Sequence, residues 1–185
     1  FLEAHGEFSM DGFAFHTHLE GVTDHSHGDS SSHVIETAGH GVGRLRRALE
    51  AQGYSARKLL LATTVAIPSD CTLLLAANPR TTFLPAESAA LRSYLAGGGS
   101  ALLLLDLGFV PEAGLSRLLS DLGARLEQQV VVDPLSHYQS DPEMVAVTGY
   151  DPHAITRTLS LTFFPGIRPL TLTEPASGVV ATPIL

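Results

Sequence analysis

The segment 53–106 constrains this chain most, because short apolar runs alternate there with a helical pattern. The runs at 59–62, Leu73–Ala77 and 101–105 are nearly continuous in apolar residues. A strand covered on both faces has this pattern, since neither face meets water. The helix between the last two runs ends at three glycines, which tolerate the left-handed conformation of a helix C-terminus. The segment therefore predicts buried parallel strands joined by a helical crossover.

The same alternation continues on both sides of this segment. Val42, Leu45 and Leu49 share one helical face, a leucine stripe begins at Leu115, and a further apolar run occupies 130–132. Alternating strands and helices imply right-handed crossovers that place helices on both faces of one sheet. We therefore expect an α/β fold with an open, mostly parallel sheet, of the flavodoxin-like or class I glutamine-amidotransferase-like kind.

The length of 185 residues favours one domain with a substantial core. We expect this α/β domain to span 1–185. Within it, residues 9–40 form a histidine-rich insertion or loop. Residues 135–185 form an irregular C-terminal extension with short strands, because turn residues interrupt the apolar pattern there.

Polar residues follow the predicted strands at the points where those strands end. In doubly wound sheets, ligands bind beyond the carboxyl ends of the strands, where such side chains meet at one edge. Paired acids at this edge suit a cation, a sugar or a peptide, and could also perform acid–base chemistry. Aspartates after a strand also cap the following segment, and the pattern does not separate the two roles. The candidate cleft residues are His5, Glu7, Asn78, Asp106, Asp133 and His153.

Seven of the nine histidines lie between residues 5 and 40. His16 and His18 form one His-x-His pair, and His25 and His27 form another. On a strand, residues i and i+2 point to the same face, so each pair could present two imidazoles to one metal ion. We expect a zinc or nickel site if the pairs meet. The alternative is a polar insertion whose histidines are solvated.

Several function classes lack their sequence signature. The net charge of −8 disfavours nucleic acid, which requires a basic surface. No Gly-x-Ser-x-Gly elbow occurs, and the only lysine, Lys58, lies outside any phosphate-binding loop. Cys71 is the single cysteine and precedes a strand, which favours a structural role over a nucleophile. No assembled catalytic motif is visible.

The chain contains an ordered set of short motifs at 4–7, 53–54, 67–71, 78–79, Glu87, 94–95 with 98–99, 131–134 and 153–156. This set resembles one family, the auxiliary components of GldG-type ABC transport systems, which are associated with gliding motility. The resemblance covers 1–8 and 40–170, and it implies the extracytoplasmic domain of a protein with membrane-spanning helices. The chain departs from the family pattern at two positions, where it has Ala4 and Ala154.

We therefore expect a non-enzymatic recognition domain, substrate-binding-like, that works with the membrane subunits of an ABC transporter. A small molecule, a sugar or a peptide would be its ligand, and nucleic acid would not. The chain starts at Phe1 without a methionine, so we expect a soluble fragment of a membrane-anchored protein on the extracytoplasmic, periplasmic face. Two alternatives stay open: a hydrolase or amidotransferase-like enzyme with an acidic or metal-containing cleft, and a metal-binding histidine-rich module.

Overall fold

The chain divides into two units, Phe1–Leu105 and Asp106–Leu185, each with its own buried residues. The structure, a computed structural model, describes residues 1–12, 41–64 and 66–185. Each unit is described by itself below.

The first unit is built around a pair of parallel strands. Its elements are helix α1 (Gly43–Ala51), a 3-10 helix (Leu61–Thr63), strand β1 (Leu73–Ala77), helix α2 (Pro85–Ala96) and strand β2 (Ser100–Leu104). Strands β1 and β2 pair in parallel without a register shift. The chain start runs beside β1, where Leu2 N–H donates to the carbonyl of Leu75 at 2.7 Å. Leucines dominate the core because both faces of β1 are covered.

Helix α2 is fixed to both strands through Tyr94. Its hydroxyl donates to the carbonyl of Ser100 at 3.0 Å and, more weakly, to that of Cys71 at 3.4 Å. Burial raises the pKa of Tyr94, and the contact with Cys71 adds to this effect. The last turn of the helix is thereby tied to the starts of β1 and β2.

The second unit is mainly antiparallel. Its elements are helix α3 (Ala113–Asp121) and strands β3 (Ala124–Leu126), β4 (His137–Tyr138), β5 (Asp141–Val147), β6 (Thr162–Pro165) and β7 (Leu170–Leu172). Strands β3 and β7 form one antiparallel pair, and β4, β5 and β6 form a three-stranded antiparallel sheet. The side chain of Glu112 caps α3 by accepting from the N–H groups of Gly114 and Leu115, both at 2.6 Å.

Arg168 is buried in this second unit and holds one loop of it. Its guanidinium donates to the carbonyl of Phe109 at 2.9 Å and also to that of Leu107. Burial lowers the pKa of Arg168, because the charged form loses hydration. Backbone carbonyls thus compensate part of the cost of burying this charge.

The predicted open, mostly parallel sheet with helices on both faces is wrong. Among the residues that the structure describes, β1 and β2 form the single parallel pair of strands, and the other sheets are antiparallel. Only Gln139 and Ser140 separate β4 from β5, and Gln139 has a φ of +54°. A two-residue connection permits an antiparallel hairpin, whereas parallel strands need a crossover of about a dozen residues.

Two predicted strands also differ from the structure. The run at 59–62 makes one parallel bridge, between Leu59 and Leu2, and then turns into the 3-10 helix. The run at 130–132 forms no strand, although Val131 N–H donates to the carbonyl of Ile167 at 2.8 Å. Apolar composition alone does not provide the neighbouring strand that a ladder requires.

Candidate functional site

A buried cluster of one imidazole and two carboxylates lies at the carboxyl end of β1. The His5 ring nitrogen Nδ1 lies 3.2 Å from Oε1 of Glu7, and Nε2 lies 2.8 Å from Oε2 of Glu87. The exposed fraction is 6% for His5 and 3% for Glu87. The ring also lies against Phe83, with 4.9 Å between the ring centroids. The cluster therefore joins the loop that contains His5 and Glu7 to helix α2.

Backbone hydrogen bonds hold this loop in place. The carbonyl of His5 accepts from Arg80 N at 2.7 Å and from Thr81 N at 3.0 Å. Oε2 of Glu7 accepts from Ala4 N at 2.9 Å and from His5 N at 2.7 Å. A carboxylate that receives two backbone N–H groups rigidifies a turn, so Glu7 fixes the loop as well as contacting the ring.

Glu87 is a member of the cluster that the sequence pattern did not select. Its Oε2 also accepts from Leu84 N at 2.7 Å, which caps the start of α2. Its other oxygen, Oε1, is buried and has no hydrogen-bond partner among the described residues. Pro85 followed by an acid in the first turn indicates a helix start, and this signal revealed the cap but not the contact with His5.

The hydrogen-bonding capacity of the His5 ring limits which contacts of this cluster can form together. A neutral imidazole carries a single N–H, whereas a carboxylate carries none. Two hydrogen bonds from His5 to carboxylates therefore require a doubly protonated ring or one protonated carboxyl group.

The structure places the remaining predicted cleft residues in separate local roles. Asn78 is buried at the end of β1 with a φ of +54°, and its N–H donates to the carbonyl of Leu104 at 2.8 Å. In the second unit, Asp106 accepts from Leu107 N at 2.8 Å. His153 accepts through Nδ1 from Ile155 N at 3.2 Å. The contacts of Asp106 and His153 are local turn contacts, the alternative role open to a polar residue after a strand, whereas that of Asn78 is a backbone bond to β2.

Asp133 has a similar turn role with an electrostatic consequence. Its Oδ1 accepts from Leu135 N at 2.8 Å and from Ser136 N at 2.9 Å. These backbone N–H groups, that of Ser136 first, lower the pKa of Asp133 because they favour the charged carboxylate. Of the six candidates, His5 and Glu7 are thus the two whose side chains meet; the cleft assignment itself stays a prediction.

A cleft of about 160 Å³ opens in the first unit at the other end of β1. Tyr54, Arg57, Asp70 and Cys71 are among its lining residues. Arg57 donates to Asp70, and this hydrogen bond lowers the pKa of that carboxyl. The thiol of Cys71 is half-buried. The cleft therefore offers an aromatic ring, an ion pair and a thiol at the amino end of the strand, opposite the predicted rim.

The predicted metal ligands lie outside the described residues. These ligands are His16, His18, His25 and His27. Within residues 1–12, 41–64 and 66–185, no group of three His, Cys, Asp or Glu side chains is arranged to hold a metal ion. The zinc or nickel site stays a prediction.

Comparison with protein families decides the family of this chain. The family described as an ABC-type uncharacterized transport system, whose members are ABC transport auxiliary proteins, matches residues 27–185. The chain belongs to this family. The predicted membership in an ABC transport auxiliary family is therefore confirmed, and the role of the chain is transport-associated. The narrower GldG type stays a prediction.

One solved structure has a fold similar to that of this chain. The mmIFT52 N-terminal domain is similar to this member of the ABC transport auxiliary family, with a TM-score of 0.57 and 22% sequence identity. The match covers 71% of this chain and 61% of that chain. At this identity the likeness concerns the fold alone. No curated protein matches the sequence.

A transport-associated family fits association with a membrane. In the described part of the chain, no helix combines the length and the apolar character needed to cross a bilayer.

Proposed function

We propose that this chain is a non-enzymatic recognition domain of an ABC transport assembly, and that it contacts the membrane subunits of that assembly on the extracytoplasmic face. The observation that carries the proposal is the family match over residues 27–185. Within the family, we infer the gliding-motility-associated GldG type from the ordered short motifs of the sequence.

The contacts of the polar residues support recognition over catalysis. Glu7, Asp106 and Asp133 accept hydrogen bonds from backbone N–H groups of their own turns. Glu87 caps a helix and binds His5 in a buried position. A general base must reach the proton that it removes in a bound substrate. Carboxylates that shape the backbone instead form a rigid framework, which suits a surface for binding.

The cleft beside Tyr54 favours a peptide as the ligand over an enclosed small molecule. Pockets for drug-sized ligands have volumes of about 300–1,000 Å³. The cleft of about 160 Å³ has space for one side chain of a partner protein. Tyr54 supplies an aromatic surface, and the pair of Arg57 and Asp70 supplies both charges at the same place.

Photo-crosslinking of the full-length protein in its own membrane tests this proposal. A photoreactive residue at Tyr54, in the cleft, should crosslink to a membrane subunit of an ABC transporter identified by mass spectrometry. Leu60 is the matched control, because it is similarly exposed and lies outside the cleft lining. Equal crosslinking from Leu60, or no crosslink to a transporter subunit from Tyr54, would contradict the proposal.

A cysteine label tests the predicted side of the membrane. Leu135 is 94% exposed, so Leu135→Cys in a Cys71→Ser background provides one accessible thiol. A membrane-impermeant maleimide should label this thiol in intact cells as fully as in lysed cells. Labelling only after lysis would place the domain in the cytoplasm.

A further inference from the structure

Strand β2 has one edge without a strand partner in the described part of the chain. It pairs with β1 along one side only. The carbonyl of Leu104 faces the β1 side, where it accepts from Asn78 N at 2.8 Å. Because backbone groups alternate in direction along a strand, the N–H and C=O groups of Ala101 and Leu103 point to the opposite edge. Four backbone polar groups are therefore available there.

The same strand presents an apolar face. Leu102 is 39% exposed and Leu104 is 43% exposed, while Ala101 and Leu103 on the other face are half-buried. Edge strands are normally protected by a lysine, a proline or a bulge. Strand β2 has none of these, and its pairing with β1 is in continuous register. An unprotected edge beside exposed leucines is a surface suited to strand addition.

The distribution of charge selects the occupant of this edge. The chain carries a net charge of −8, so two copies repel each other over most of their surfaces. Residues 93–105 contain no charged side chain. Strand β2 is therefore a place where two copies can approach without bringing like charges together.

We propose that two copies of this chain associate through β2, which pairs antiparallel with β2 of the second copy about a two-fold axis at Leu102. In this register Ala101 of one copy faces Leu103 of the other, and the four free backbone groups of each edge become hydrogen-bonded. Leu102 meets its own symmetry mate in a pair without backbone hydrogen bonds, where side chains come closest. Ser100 faces Leu104, and Asp106 falls opposite Gly98. The interface is isologous and closes as a dimer.

Light scattering coupled to size exclusion gives the first test. Over a concentration series the chain should reach twice its mass of 19.6 kDa. Leu102→Lys should shift it to the monomer, since two ammonium groups would face each other at the axis. The matched control is Leu172→Lys, which changes an exposed leucine on β7 and should leave the dimer intact. A chain that stays monomeric, or a dimer that survives Leu102→Lys, would overturn the proposal.

Disulfide trapping keeps the proposal testable if Leu102→Lys disturbs folding. In a Cys71→Ser background, Leu102→Cys should form an intermolecular disulfide on mild oxidation, because Cβ atoms of opposite pairs without backbone hydrogen bonds lie at the short end of about 4.5–5.5 Å, close to the separation that a disulfide spans. Leu172→Cys in the same background should remain monomeric on a non-reducing gel. Crosslinking from Leu172→Cys but not from Leu102→Cys would place any contact elsewhere and would overturn the β2 dimer.

Discussion

The imidazole of His5 lies 2.8 Å from the carboxylate of Glu87, a residue 82 positions later in the chain. Both side chains are buried, and Glu7 contacts the second ring nitrogen. This contact ties the first loop to the start of helix α2. It therefore links two elements whose relative position the local sequence does not fix.

Removal of Glu87 should destabilise the protein strongly. Glu87→Ala leaves the buried ring of His5 and the N–H of Leu84 without their acceptor. Breaking a buried charged pair costs about 3–5 kcal/mol, and an unsatisfied buried donor adds to this cost. We expect the free energy of unfolding, measured with urea, to fall by about 3 kcal/mol.

The control for this change is Glu50→Ala. Glu50 forms a solvent-exposed ion pair with Arg46 one helical turn away, at 3.1 Å. Such pairs contribute about 0.3–0.5 kcal/mol, so this variant should stay close to the wild type. A Glu87→Ala variant as stable as Glu50→Ala would show that the buried cluster does not hold the two elements together.

Gly41 should not tolerate a side chain. A Cβ at this position would lie 2.1 Å from the carbonyl oxygen of Ser9 and 2.7 Å from the Cα of Gly12. These are backbone atoms that cannot rotate away, so we expect Gly41→Ala to cost at least about 1–3 kcal/mol of stability in urea unfolding. Gly108→Ala is the control, because its Cβ would meet no atom within 4 Å. Equal stability of the two variants would contradict this close approach.

Residues 13–40 should be removable without loss of the fold. Gly12 and Gly41 lie side by side, and Gly43 N–H donates to the carbonyl of Gly12 at 2.7 Å. A short glycine–serine linker can therefore replace the segment, since closing a short loop costs little conformational entropy. We expect a melting temperature within a few degrees of the wild type by circular dichroism. Unfolding of the shortened chain would mean that the segment is part of the core.

Asp133 should contribute stability that depends on pH. Its folded pKa is lowered by the N–H groups of Ser136 and Leu135, and an unfolded aspartate titrates near 3.9. The contribution is therefore present above about pH 4 and is lost as the pH falls through the folded pKa. Asp133→Asn should have a lower free energy of unfolding than the wild type at pH 7. The difference between the two proteins should disappear in acid. If the difference in free energy of unfolding is the same in neutral and in strongly acidic solution, Asp133 does not make this pH-dependent contribution.

If the two His-x-His pairs meet, they should bind zinc or nickel through neutral imidazoles. Four nitrogens would then complete a tetrahedral zinc site, and protonation below about pH 6 should abolish binding. We expect a calorimetric signal with zinc at pH 7.5 that is absent at pH 5.5 and is lost in the double variant His16→Ala, His27→Ala. His153→Ala is the control. Binding that persists in the double variant, or no heat at pH 7.5, would leave a solvated insertion.

The chain should not hydrolyse esters, peptides or glycosides above background. The reason is that the sequence contains no assembled catalytic motif; Asp106 and Asp133 also hold turns through backbone contacts. Turnover measured with chromogenic substrates should stay at the level of buffer. Activity that disappears in Asp106→Ala or Asp133→Ala would restore the hydrolase alternative.

Local patterns predicted several elements correctly, because short-range interactions determine them. The helix opened by Pro85 and ended by glycines is α2, and the apolar run Leu73–Ala77 is β1. The turn roles of Asp106 and Asp133 were one of two stated possibilities. The contact of His5 with Glu87 was not predictable, since no periodicity connects residues so far apart.

Strand β7 shows why alternation in the sequence does not determine which face of a strand is buried. Leu170 and Leu172 alternate with Thr171, which is the pattern of a strand whose two faces differ. In the structure both leucines are exposed, and the hydroxyl of Thr171 binds Glu127 across the pair with β3. Alternation shows that two faces differ but does not show which of them is covered.

The sequence by itself determined the family of this protein, those helices and strands that short-range signals fix, such as α2 and β1, and the lack of a recognisable catalytic motif. These depend on the order of residues over a few turns of chain. The tertiary structure alone decided that most strands in the described part of the chain are antiparallel and that His5 meets Glu87 in the interior. Strand direction and buried contacts depend on which distant segments become neighbours, and the free energy of that choice comes from packing summed over the whole unit rather than from any local pattern.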